Sequence, residues 1–440
     1  MSKEARVPGT ANQASSSGPE RWDWVDRTIW TERMLAALDN GVQGAKWFSL
    51  IDKVYRRRTL EASWQQVRSK RGAAGVDAVS IERFEANEQG YLSELEKALR
   101  EGSYRPEAIR RVEIPKAGGG RRPLGIPTVK DRIVQTAVKR VMEPIFESAF
   151  MPTSYGFRPG RGCKDALREV GHWLKEGYTH VVDADLRNYF ESIPHERLME
   201  RVRARISDGR LLGLLEGWLR QDVVQGLERW TPTGGTPQGA VISPLLANLY
   251  LHGLDEHLAR QGYHMVRYAD DFVVLCANAE QAECALREVQ AWVAANGLSL
   301  HPDKTHVGDC RVSGQGFDFL GYRFEAGRRQ VRKKSLAALK ARIRERTGRT
   351  RGESLARVIG ELNPMLRGWF TYFQHAHHWT FPAIDGFVRR RLRAMLRKQQ
   401  KRPGAGHCRA DHHRWPNRFF ATAGLFTLTD AHRLASQSRC

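Results

Sequence analysis

Tyr268-Ala269-Asp270-Asp271 interrupts an apolar stretch, with Met265-Val266 before it and Phe272-Val273-Val274-Leu275 after it. Runs of this composition are buried strands, and a carboxylate cannot be buried among them without water or a counter-charge. The pattern therefore demands two strands joined by a tight turn, with both acids at the turn. An ordinary acidic turn meets that demand as well as a functional site does, because Asp is a common turn former. Other parts of the chain separate the two readings.

Residues 179–186 read as a second buried strand carrying acids, and alternation puts Asp183 and Asp185 on one face. The aromatic pair Tyr189-Phe190 follows. If this strand neighbours the first hairpin, Asp185 and Asp270 converge. Two-metal phosphoryl transfer needs carboxylates from separate strands around ions roughly 3.5–4 Å apart. Mg2+ prefers a few carboxylates plus substrate phosphates to an all-protein cage. One acid from such a strand suffices, which leaves Asp183 a supporting or solvated role. Between the two acidic strands, residues 236–244 form a Gly/Pro-rich turn leading into a helix from Leu245 to about Leu258. Its small residues allow close backbone approach to a ligand, and the helix N-terminus favours phosphate.

The rest of the chain is strongly cationic. Lys and Arg number 71 against 49 Asp and Glu, a net charge of +22 over 440 residues. That balance points to a polyanionic partner, most simply nucleic acid. A ribosomal or membrane-surface protein shares the balance, but 41% hydrophobic content with twelve Trp describes a folded, enzyme-sized body of two to four domains. Residues 111–127 predict a β-hairpin with a triple-glycine turn and with Lys116, Arg121 and Arg122 near its tip. Such a tip suits a triphosphate or a nucleic-acid backbone, although a solvated basic hairpin reads the same way. Tyr155, Phe157, Arg158 and Arg161 in a Pro/Gly-rich loop are candidates for touching a strand. The six cysteines form no CxxC pair, which argues against a zinc framework or a disulfide scaffold. No run of about 18 apolar residues is present, and residues 1–20 have no apolar core, so a cytosolic protein is expected.

Helical spacing covers most of 22–104, broken by a Gly-rich loop at 72–77. Residues 130–147 predict an amphipathic helix that Pro144 should kink or restart. From Arg328 to Arg351 there are eleven Lys/Arg, with Leu336, Leu339 and Ile343 at helical spacing. Eight more basic residues and no acid occupy 389–402, ahead of a linker at Pro403-Gly404.

Taken in order, these segments resemble reverse transcriptases, and most closely the group II intron-encoded reverse transcriptase/maturases, over roughly Trp30 to Phe426. The motifs are IPKAGGGRRPLGIPT (114–128), SYGFRPGRG (154–162), DLRNYF (185–190) and TPQGAVISPLLANLYL (236–251), then YADD (268–271), GLSLHPDKT (297–305) and FDFLGYRF (317–324). The resemblance implies an α+β fold: right-hand polymerase fingers and palm with an antiparallel sheet, then an α-helical thumb/maturase domain and a short basic DNA-binding segment. The expected layout is a disordered tail (1–20), an N-terminal extension with the start of the fingers (21–105), fingers and palm (106–326), thumb/maturase (327–400) and DNA-binding segment (401–440). It further implies that Asp185, Asp270 and Asp271 are catalytic and hold two Mg2+ ions, with the backbone carbonyl of Leu186 completing a shell. Asp270 would be the shared ligand and Asp271 the lesser partner. Lys116 and Arg122 resemble the residues that hold the incoming dNTP. Gln238 and Gly239 resemble the turn against template and nucleotide, and Phe190 the gate against a ribose 2′-hydroxyl. Lys304 resembles a general acid or phosphate-neutralising lysine, and Phe319, Leu320, Gly321 and Tyr322 the primer grip.

Residues 358–375 resemble the maturase domain. There Trp369, Phe370, Tyr372 and Phe373 read mainly as core and Arg367 as an RNA contact. Residues 414–420 resemble the DNA-binding segment. His407, His412 and His413 beside Cys408 lack a second ligand pair, so no HNH nuclease is expected, as in the endonuclease-lacking class C lineage of bacteria. The implied function is RNA-directed DNA synthesis on intron RNA during retrohoming, together with splicing assistance, in the bacterial cytoplasm. Its partners would be intron RNA, a DNA target or primer supplied from elsewhere, and dNTPs, with no membrane. A splicing cofactor with an idle polymerase, or a free-standing or defence-associated reverse transcriptase, are the alternatives.

Overall fold

The computed structural model describes residues 19–42, 46–115, 119–404, 406 and 408–437. The expected disordered tail thus lies almost wholly outside the described residues, as do Lys116 and His407. In chain order the strands are β1 (Ile109–Pro115), β2 (Arg121–Ile126), β3 (His180–Asp185), β4 (Val223–Gln225), β5 (Glu228–Trp230) and β6 (His264–Tyr268). They continue with β7 (Asp271–Cys276), β8 (His306–Asp309), β9 (Phe317–Phe319), β10 (Tyr322–Glu325) and β11 (Arg328–Val331). They form three sheets, in the orders β2-β1-β4-β5, β6-β7-β3-β8 and β11-β10-β9.

The sheet β6-β7-β3-β8 is antiparallel throughout and divides the molecule into two cores. Alternation along its strands explains how. Val182, Ala184, Phe272, Val274 and Cys276 point into a core shared with the helices Val129–Glu147, Ser243–Arg260 and Ala279–Ala295. Val181, Val266, Val273 and Leu275 point the other way, into a core shared with β9, β10 and the helices beyond residue 333. Asp183 pairs with Val273 and Asp185 with Asp271, so these three acids lie on the second face.

The helix Val129–Glu147 is capped by Thr128, whose hydroxyl accepts the Asp131 N–H, and it runs through Pro144 without ending. The expected restart at Pro144 is therefore corrected. Proline denies the carbonyl four residues earlier its usual donor, and here the Trp30 indole N–H fills that vacancy at the Arg140 carbonyl, 3.2 Å away. The basic stretch from Arg328 opens as strand β11 and becomes helical only at Lys333–Arg346.

Helices Leu355–Phe373 and Thr380–Gln399 carry the second core onward. Phe370 and Phe373 are buried in it, as expected, with Trp369 and Tyr372 packed against it. Beyond Pro403-Gly404 the chain folds back onto these helices. Phe420, Leu425 and Leu428 are buried, and the Asp385 carboxylate accepts the N–H groups of Leu428 and Thr429 at 3.0 and 2.9 Å. Arg393, from the acid-free basic run, is buried and donates to the Trp415 carbonyl and the Asn417 side chain, both at 2.9 Å. Arg397 pairs with Asp411 at 2.6 Å. Part of that run is therefore internal scaffolding.

Candidate active site

Tyr268 pairs directly with Asp271, leaving Ala269-Asp270 as a two-residue turn between β6 and β7. Ala269 has φ +61°, a left-handed conformation that costs a non-glycine residue about 1 kcal/mol. The turn is held from beneath. Arg267 is fully buried, and its Nη1 donates to the Ala269 carbonyl at 2.8 Å and to Asn248 Oδ1 at 2.9 Å. Its Nε and Nη2 donate to the buried Asp255 carboxylate at 2.7 and 2.5 Å. Asn248 donates in turn to the Gly156 carbonyl at 2.7 Å. Gly156 lies so close that a β-carbon there would sit 2.3 Å from the Ala269 nitrogen. A buried cation with a bidentate carboxylate and further acceptors is the arrangement in which such a pair is tolerated.

Asp185 stands opposite Asp271 in the register, and Asp270 occupies the adjoining turn. Burial pushes the Asp271 carboxyl up to about 7, reinforced by the charges of Asp183, Asp270 and Asp185, while a backbone N–H from Leu320 opposes the shift. Burial pushes Asp183 up to about 6 against the nearby His306. Asp270 is raised by burial and by Asp185, with Arg267 and Lys304 pulling it back. Lys304 Nζ donates to Asp185 Oδ2 at 2.5 Å. Asp183 is not solvated; it is enclosed on the same face, 3.8 Å from His306. Leu186 forms an isolated antiparallel bridge with Leu300, made by Arg187 N to Ser299 O and His301 N to Asp185 O. In that pattern the bridge residue's own N–H and carbonyl point away from the partner. The Leu186 carbonyl thus faces the β7 side, where Asp270 lies.

The β9–β10 hairpin covers the acidic face. Phe319 pairs with Tyr322, and Leu320 and Gly321 (φ +47° and +82°) form the two-residue turn that positive φ at both positions produces. Tyr322 donates to the Tyr372 carbonyl at 2.7 Å, and Tyr372 donates back to the Leu320 carbonyl at 2.8 Å. This reciprocal pair fixes the hairpin to the helix Leu355–Phe373.

Gln238 and Gly239 lie against the β1–β2 hairpin. The Gly125 N–H donates to the Gln238 carbonyl at 2.6 Å, and a β-carbon on Gly239 would meet the Gly125 oxygen at 2.3 Å. Phe190 is half-buried beside Tyr189, and its carbonyl accepts the Thr236 N–H at 2.6 Å. Arg121 and Arg122 are exposed on β2. The 151–163 loop departs from expectation. Arg158 is buried, bound to Glu147 and to the carbonyls of Met151 and Ser154, and Tyr155 is buried too; of that set Phe157 is exposed. Arg367 is exposed but stacked on Phe426 at 4.7 Å. Among the described residues no three His, Cys, Asp or Glu side chains already stand close enough together to hold a metal ion, so His412 and His413 form no metal cluster and the acids of β3 and β7 are neighbours without being a closed cage.

Arg267, Asn248, Asp255 and Gly156 were not singled out from sequence. The signal was present: a charged residue inside Met265-Val266-Arg267, and two polar residues seven apart in an apolar helix.

Comparison with known proteins places this geometry. Residues 114–324 match the family described as reverse transcriptase (RNA-dependent DNA polymerase), and residues 336–415 match the group II intron maturase-specific domain. Protein YkfC of Escherichia coli is 38% identical, over 58% of this chain and 77% of its own. The group II intron-encoded protein LtrA of Lactococcus lactis is 32% identical over 44% of this chain and 32% of its own. The putative COX1/OXI3 intron 2 protein of Saccharomyces cerevisiae is 32% identical over 60% and 37%. The chain thus spans about a third of the length of these last two relatives. With both family segments in sequence and a relative matched over most of its length, the chain belongs to the group II intron reverse transcriptase/maturase family.

Proposed function

We propose that the chain copies intron RNA into DNA at the β6–β7 hairpin and assists splicing of that RNA. The observation that carries this reading is the register: Asp185 directly opposite Asp271, with Asp270 in the adjoining turn. The donor set fits divalent cations. Four carboxylates crowd one end of the sheet; burial raises the proton affinity of Asp183, Asp270 and Asp271, and Lys304 is paired with Asp185. Such an excess of hard, negatively charged oxygen is what Mg2+ neutralises. Asp185, Asp270, Asp271 and the Leu186 carbonyl would hold two Mg2+ ions, which when bound supply Lewis-acid stabilisation of the attacking and leaving oxygens.

The remaining roles fall to the chain's own groups. Arg122, with Lys116 beyond the described residues, neutralises the triphosphate. Lys304 sits where a departing pyrophosphate gains charge, and its present bond to Asp185 keeps it there. Gln238 and Gly239 bear on template and nucleotide, and Phe190 on the ribose 2′ position. The turn at Leu320-Gly321 holds the primer end against Asp271. The layout fits fingers and palm over 106–326 and thumb/maturase over 327–400, with residues 401–437 as a DNA-binding segment packed on the thumb. We further infer a bacterial, cytoplasmic setting and retrohoming; no described helix is long and apolar enough to cross a membrane. Asp270→Asn is expected to abolish dNTP incorporation on a primed RNA template while leaving RNA affinity within about twofold, since it alters one half-buried charge among many. Equal loss of RNA binding would contradict separable polymerase and RNA-binding functions.

A further inference from the structure

A cavity of about 610 Å3 lies behind the fingers sheet, between β1, β2 and β5 and the segments 191–194 and 231–238. It is distinct from the proposed triphosphate site. Arg111, Pro123 and Gly125 line it, and by the β1–β2 register they share one face of the sheet. Arg122 and Leu124 lie on the other face. The volume falls within the roughly 300–1,000 Å3 usual for small-ligand sites.

The walls are preformed. Thr236 N donates to the Phe190 carbonyl at 2.6 Å and Gly235 N to the Ile193 carbonyl at 2.8 Å. His195 Nε2 lies 2.7 Å from the Gly235 carbonyl. The chemistry is specific. The Arg111 guanidinium lies 5.6 Å from the Trp230 ring centre. Thr236 is 2% exposed, and its hydroxyl has no hydrogen-bond partner; neither has Arg111 Nε. Arg111 already faces Glu113 at 3.6 Å, and Glu191 stands at the rim. Cation and carboxylate therefore balance, which disfavours a phosphate. An aromatic face with unsatisfied polar atoms suits a planar, uncharged ring.

We propose that this cavity takes one unpaired nucleobase of the template strand. This rests on the polymerase reading, because the wall at Thr236–Gln238 is the turn assigned to template and nucleotide. A base just ahead of the copied position reaches the cavity from there, its phosphates remaining outside.

The test measures binding, without catalysis, of a primer–template duplex with and without a 5′ template overhang. Trp230→Ala is expected to cut the affinity advantage of the overhang by about 5- to 100-fold, as for loss of one base–aromatic stack, with blunt-duplex affinity within about twofold. Trp230→Phe should restore most of the advantage, and Thr236→Val should lower it with the aromatic ring intact. 4-Thiouridine in the overhang should crosslink within residues 230–236. An undiminished advantage in Trp230→Ala, or an equal fall for blunt duplex, overturns the proposal. Crosslinking by free 4-thiouridine monophosphate and not by the overhang overturns the template as the source. Failure of the polymerase reading would show separately, as absence of primer extension in the wild-type chain.

Discussion

Arg267 and Arg122 carry the same charge on the two hairpins that define this chain, yet they are used in opposite ways. Arg267 is wholly buried under the acidic turn, with all three nitrogens of its guanidinium engaged by Asp255, Asn248 or the Ala269 carbonyl. Arg122 stands exposed on β2 and meets no carboxylate among the described residues. The first cation spends its bonding capacity on geometry, holding a left-handed alanine so that three acids converge. The second keeps its capacity for something that arrives. A residue's charge therefore does not reveal its role here; its burial and its partners do. Arg158 and Arg393 belong with Arg267, although both lie in stretches that read as cationic surface.

The largest effect should follow from removing the buried cation. Arg267→Met leaves Asp255 uncompensated and is expected to cost about 3–5 kcal/mol in denaturant unfolding. Replacing both, as Arg267→Met with Asp255→Leu, should recover most of that stability. The double variant should still incorporate dNTP slowly, because the Ala269 carbonyl has lost its donor. Wild-type incorporation by a refolded double variant would reduce the network to a stability device and erase the contrast with Arg122.

The exposed cation should behave in reverse. Arg122→Gln is expected to leave unfolding within about 0.5 kcal/mol, as for surface positions. The KM for dNTP should rise by roughly 10- to 100-fold, the loss of a charge-assisted contact. A destabilised protein with normal KM would place Arg122 with the scaffold.

A smaller, graded effect comes from pH. Asp271 and Asp183 titrate at about 7 and about 6, both above the ordinary 3.8, because they are buried among like charges. Below those values protons compete with a cation; above them the site is ionised. Mn2+ affinity, followed by equilibrium dialysis, is therefore expected to rise between roughly pH 6 and 8 and to level off above. In the metal-free protein the sign for stability is opposite. The fold binds more protons than the unfolded chain in the window from about 4 to 7, so stability falls as pH rises across it. A flat metal affinity over that range would separate these acids from any cation site.

Much of the site was legible in the sequence because its signals are local. A carboxylate pair inside apolar runs, an alternating acidic strand and a Gly-rich cationic turn each declare themselves within a few residues. What escaped depends on partners far along the chain. Pro144 is expected to kink or restart its helix; the helix does not restart, and the donor that serves the Arg140 carbonyl is Trp30, 110 positions earlier. Arg158 read as a nucleic-acid contact because its partner Glu147 lies in the preceding helix, outside the motif. Asp183 reads equally as a supporting or a solvated acid, because the group that decides it lies far along the chain: the Asp318 backbone N–H of β9 donates to its carboxylate. The C-terminal stretch read as a separate tail, since nothing near Leu428 announces that Asp385 will cap it.

The central claim is that the β3 and β7 acids form one cation-dependent nucleotidyl-transfer centre. Its most direct test is single-turnover incorporation of one dNTP on a DNA-primed RNA template by the Asp185→Asn chain. Asp185 ends β3, outside the β6–β7 hairpin, so the test asks whether the register itself matters. A loss on the order of 1,000-fold or more, with primer–template affinity retained, is the predicted result for removing a ligand from such a centre. Incorporation within about tenfold of wild type would contradict the account, because a centre of this kind does not survive the loss of one of its carboxylates.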